Sequence, residues 1–65
     1  MIKTVIRFKS NRVMVFDKRG EQMPKYQGQY EKVKQSILGD ALPATIFALG
    51  FTGAGELLKV PREEW

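Results

Sequence analysis

Along residues 2–9, Ile2, Thr4, Ile6 and Phe8 fall on one side of an extended chain, and Lys3, Val5, Arg7 and Lys9 on the other. Alternation of period two predicts a β-strand. Residues 12–17, rich in β-branched and aromatic side chains, predict a second strand. Ser10-Asn11 between them supplies turn chemistry, because Asn tolerates positive φ better than most residues. Two hairpin registers are open. A two-residue Ser10-Asn11 loop sets Phe8 opposite Val13 and Ile6 opposite Val15. A three-residue loop ending at Arg12 sets Phe8 opposite Met14 and Ile6 opposite Phe16. One residue of slip moves every side chain of the second strand to the other face. The second register separates the residues better, gathering Ile2, Ile6, Phe8, Met14 and Phe16. It still leaves Val5, Val13 and Val15 on the other side, so part of that second face is expected to be covered.

Residues 18–21 end the hairpin. Residues 22–25 read as an extended connector, because the residue before Pro24 avoids helix. Tyr26, Tyr30, Val33, Ile37 and Ala41 then form one apolar stripe at helical period. Gly28 stands at the expected N-cap with Glu31 in the first turn, and Gly39-Asp40 followed by Pro43 is a stop. Residues 45–51 predict a third strand, apolar on both faces and therefore interior. Residues 52–55 read as a turn and 56–60 as a short fourth strand before Pro61. The segment 62–65 is expected to be mobile unless Trp65 docks. The predicted fold is α+β: a single domain over residues 1–61, with one helix packed on a small antiparallel sheet.

Length sharpens this picture. In a chain of 65 residues, apolar burial and the entropy of ordering the chain nearly cancel, and such domains lean on disulfides, a metal or a second subunit. There is no Cys and no His, which excludes disulfides, the usual zinc ligands, a thiol nucleophile and an imidazole base. A second subunit remains. The first residues lack the apolar run of a signal peptide, and residues 41–51 are about half the length of a membrane span, so a cytoplasmic protein without membrane association is expected.

Charge has direction. Residues 1–34 hold nine Lys/Arg against three Asp/Glu, residues 35–65 two against four, within a net charge of +4. This split suits nucleic acid or self-association. Lys3, Arg7, Lys9, Arg12 and Arg19 are the candidate nucleic-acid contacts. Phe8 and Phe16 could stack on bases, but they are also the best core residues of the hairpin. Gly50-Phe51-Thr52-Gly53-Ala54-Gly55 has neither the order nor the Lys of a phosphate loop and reads as a hairpin turn. Tyr26 and Tyr30, at helical spacing, read as the edge of the core. Asp17, Glu21, Glu31, Asp40 and Glu56 are scattered, with no pair fixed by spacing for acid–base work.

The runs Ile2-Lys3-Thr4-Val5-Ile6-Arg7-Phe8-Lys9, Val13-Met14-Val15-Phe16-Asp17, Gly20-Glu21-Gln22-Met23-Pro24, Tyr26-Gln27-Gly28-Gln29-Tyr30 and Val60-Pro61-Arg62-Glu63-Glu64-Trp65 together cover most of the chain. It resembles a family of short proteins from anaerobic Gram-positive bacteria to which no activity is assigned. The resemblance implies a self-contained protein and carries over no catalytic or binding residue. The residues themselves point to a non-enzymatic interaction module without metal or cofactor. It is expected to form a homodimer through Val5, Val13, Val15, Phe47 and Leu49.

Overall fold

The computed structural model describes residues 1–50 and 57–65. Strands β1 (Ile2–Phe8) and β2 (Arg12–Asp17) form the expected hairpin, and β3 (Gly28–Gln29) adds two residues to the outer side of β2. Helix α1 (Tyr30–Asp40) follows, then β4 (Ile46–Gly50) and β5 (Leu58–Val60). The sheet order is β3-β2-β1-β4-β5. Sequence patterning predicts an antiparallel sheet of three or four strands. The sheet has five strands and is mixed, because β4 lies parallel to β1. The reason is connectivity: β3 runs antiparallel to β2 and so returns the chain to the direction of β1, and the crossover through α1 brings β4 back in that same direction.

The hairpin register is neither of the two expected. Ile6 pairs with Met14 and Arg7 with Val13, so the loop is Lys9-Ser10-Asn11. Asn11 takes φ 64°, and its N–H donates to the Phe8 carbonyl at 2.8 Å. An αL residue closing a three-residue loop matches the right-handed twist of the strands. The allocation of faces nevertheless agrees with the longer-loop reading, except at Ile2. A bulge between Ile2 and Thr4 shifts the register there, and Ile2 joins the buried cluster of Val5, Val13 and Val15.

After β2, Asp17 builds a tight turn. Its carboxylate accepts the N–H of Arg19 at 2.8 Å and of Glu21 at 3.0 Å. These bonds, that from Glu21 above all, hold the Asp17 carboxyl below its ordinary value. The chain then runs back along β2, with Phe16 bridged to Gln22 and the Met23 N–H on the Val15 carbonyl.

Helix α1 begins later than the apolar stripe suggests. Tyr26 lies in a separate 3₁₀ turn (Pro24–Tyr26), and Gly28, at φ 138°, belongs to β3 instead of capping the helix. Gln29 occupies the N-cap without a side-chain bond. The first helical N–H, that of Tyr30, donates to the Asn11 carbonyl at 2.7 Å. The hairpin loop thus takes over the role of a capping side chain.

The helix lies on the face carrying Val5, Val13 and Val15. Together with Ile37 these are the most completely buried side chains, in one cluster with Ile2, Tyr26, Phe47 and Trp65. Four of the five residues expected at a dimer interface (Val5, Val13, Val15 and Phe47) are therefore core, and Leu49 packs against them. Both faces of the hairpin are apolar, so alternation alone does not say which one the helix covers. In the 62–65 segment the condition that Trp65 docks is met. Arg62–Glu64 is a 3₁₀ turn, and Trp65 is buried at 3% exposure, meeting Tyr30 and Phe47 edge-to-face with ring centroids 5.2 Å apart in each case.

Candidate functional site

Strand alternation and the observed register place two kinds of row across the sheet. Under the helix run Val15–Val5–Phe47–Val60 and Val13–Arg7–Leu49–Leu58. On the opposite face run Phe16–Thr4–Ile46 and Met14–Ile6–Ala48–Lys59, and beyond them Phe8–Gly50. Gly50 confirms the assignment: a Cβ there would meet the Phe8 ring at 2.9 Å and Ile6 Cγ2 at 3.5 Å. Phe8 lies across this glycine, and the ring could not come so close to any larger residue.

The second face is apolar across its centre. Ile6 and Ala48 are buried among their neighbours, while Thr4, Phe8, Met14, Phe16 and Ile46 are half-buried. The one α-helix among the described residues, both 3₁₀ turns and Trp65 belong to the Val5 side or its margins. Arg12 and Lys59 share the strand parity of the open face and stand near its two margins. On β5, Leu58 is 62% exposed and neighbouring Leu57 52%.

The five candidate nucleic-acid contacts do not form one stripe. Lys9 and Arg12 stand at the hairpin loop, Lys3 and Arg19 toward the other end. Arg19 pairs with Glu21 at 3.2 Å, both side chains well exposed. Arg7 belongs to the helix side and is half-buried. Its Nε and Nη2 donate to Asn11 Oδ1 at 3.3 and 3.1 Å, and Nη1 to the Trp65 main-chain oxygen at 2.9 Å. Its guanidinium carbon lies 3.7 Å from the Tyr30 ring centroid. Nothing in the strand alternation separates Arg7 from Lys3 or Lys9; only the register with Leu49 and the docking of Trp65 do.

Tyr26 and Tyr30 both face the helix-side core, and Tyr26 is buried. The Tyr26 hydroxyl donates to Asp40 Oδ2 at 2.6 Å, which raises the phenol above its ordinary value, burial adding to the effect. Of the glycine-rich run, Gly50 ends β4 and the rest lies outside the described residues, as does Glu56. Among the described residues no group of three or more acidic side chains could hold a metal ion, and no helix is long and apolar enough to cross a membrane. Comparison with protein-family models, curated proteins and solved structures returned no match.

Proposed function

We propose that the protein is a non-enzymatic interaction module that self-associates, a second copy covering the sheet face opposite α1. The observation that carries this reading is the placement of Ile6, Phe8, Met14, Phe16 and Ile46 on a face without a described helix. Contiguous apolar surface of this kind marks an interaction site. A two-fold dimer uses the same patch twice, so two such faces can pack as sheet on sheet, about 10 Å apart. A chain this short gains from the added burial. Phe16→Glu places a charge on that face and leaves the core under α1 untouched. The substitution is expected to reduce the sedimentation mass to that of one chain with the helical circular dichroism retained. An unchanged mass would count against the reading.

A second reading has one observation in its favour. Phe8 and Phe16 share the open face with Arg12 and Lys59, rings and cations together, as single-stranded nucleic acid requires. It entails oligonucleotide binding that falls steeply with salt and that Arg12→Glu weakens. Self-association entails neither.

A further inference from the structure

The strand charges on the open face of the sheet are all of one sign. Strand alternation puts Arg12 there at the β2 margin, beside Gln29, and Lys59 at the β5 margin, beside Ala48. Both side chains are exposed. Three strand spacings, roughly 14 Å, separate β2 from β5, and the apolar centre of the face lies between them. The carboxylates are elsewhere. Glu31 and Asp40 belong to α1, and Glu63 and Glu64 to the Arg62–Glu64 turn. Asp17 pairs with Ile2, whose side chain is in the core under the helix, so Asp17 shares the helix-side parity. Glu21 follows β2 and is paired with Arg19 at 3.2 Å. Among the described residues, no strand carboxylate therefore stands on the open face to offset Arg12 and Lys59.

Pairing two such faces has an electrostatic consequence. Aligned sheets packed face to face keep their strands within about 30° of one another. The two-fold axis between them then runs along the strands or across them. Along the strands, it sets the Arg12 margin of one copy over the Lys59 margin of the other. Across them, it sets each margin over its own duplicate. Cation approaches cation in both arrangements, and each chain carries a net charge of +4 besides. Like charges brought together oppose association. At a solvated margin that opposition reaches about 10 Å in 0.1 M salt but only about 3 Å in 1 M.

We propose that self-association through the open face is gated by ionic strength: apolar burial drives the pairing, the Arg12 and Lys59 margins oppose it, and dissolved salt removes the opposition. The inference rests on the proposed dimer and adds its regulation. Its sign is distinctive. An interface held by exposed ion pairs loosens as salt rises, and so does binding to nucleic acid; this interface tightens.

Sedimentation equilibrium of the full chain in sodium chloride tests the gate. Chloride is chosen because sulfate and phosphate strengthen apolar burial by themselves. Between about 0.05 M and about 0.5 M salt the dissociation constant is expected to fall roughly fivefold. The Arg12→Gln/Lys59→Gln double variant, with its fold checked by circular dichroism, removes the margin charges. It is expected to associate several-fold more tightly than the unsubstituted chain at the lowest salt and to lose about half or more of the salt dependence. A dissociation constant that is unchanged or rises with salt would overturn the gate while leaving the dimer in place. So would a double variant with the full salt dependence of the unsubstituted chain. A single-chain mass at every salt concentration would instead overturn the dimer, and the gate with it.

Discussion

The Arg7 guanidinium lies 3.7 Å from the centroid of the Tyr30 ring, joining the central strand to the first turn of the helix. The same side chain reaches the main-chain oxygen of Trp65, so one residue ties together strand, helix and the last turn of the chain. Asn11 completes the junction. Its carbonyl takes the Tyr30 N–H, its side-chain oxygen takes two Arg7 bonds, and its amide donates to Glu31 at 3.4 Å.

Replacing Arg7 by Met should therefore destabilise the fold by about 2 kcal/mol, the sum of charge-assisted bonds and ring stacking lost from a half-buried site. Urea unfolding followed by Trp65 fluorescence measures it. A double-mutant cycle with Tyr30→Leu should return a coupling of about 1 kcal/mol. A coupling near zero would mean that the stack contributes nothing.

Asn11 combines two roles that substitution can separate. Asn11→Gly suits φ 64° but removes the acceptor for Arg7, and should cost about 1 kcal/mol. Asn11→Ala adds backbone strain to the same loss and should cost roughly a further 1 kcal/mol. Equal stabilities for the two variants would show that the left-handed conformation is not required.

The Tyr26–Asp40 bond gives stability a signature at high pH. In the folded protein the Tyr26 phenol is raised above its ordinary value, chiefly by the Asp40 carboxylate that accepts its hydrogen bond. In the unfolded chain it ionises near pH 10. The folded state thus holds this proton more tightly. The contribution is complete below about pH 10 and is lost as pH rises through the folded value. Denaturant titrations at increasing pH should show this slope, and Tyr26→Phe should remove its share. The same slope in the variant would locate its cause elsewhere.

Much of this arrangement is legible in the chain. Tyr30, Val33 and Ile37 mark the helix and its buried side, Asn11 marks the hairpin loop, and the apolar run over residues 45–51 marks an interior strand. The choice of face is not legible, because Val5, Val13 and Val15 on one side and Ile6, Phe8, Met14 and Phe16 on the other are equally credible cores. The proposed interface moves from the first set to the second for that reason. The bulge that turns Ile2 inward leaves no mark in the alternation. The docking of Trp65 is a long-range contact of one aromatic residue, with no periodicity to announce it. The parallel pairing of β1 and β4 is not legible either: it depends on β3, which returns the chain to the direction of β1 before the helix, and a strand of two residues leaves no alternation.

Gly50 offers a way to disturb the open face from beneath. A methyl group there would meet the Phe8 ring at 2.9 Å, forcing Phe8 outward while the core under α1 stays intact. Gly50→Ala should weaken self-association about tenfold, read from sedimentation at several concentrations, with a smaller effect on unfolding of about 1 kcal/mol. Association equal to that of the unsubstituted protein would place Phe8 outside the interface.

The most direct measurement is native mass by light scattering or sedimentation over a dilution series, combined with solvent accessibility at Met14. This methionine lies in the middle row of the open face, between Ile6 and the chain edge. Self-association through that face predicts a mass of two chains falling toward one on dilution. Oxidation of Met14 should accelerate in step. A single-chain mass at every concentration, or a dimer in which Met14 oxidises as fast as in the Phe16→Glu variant, would contradict it.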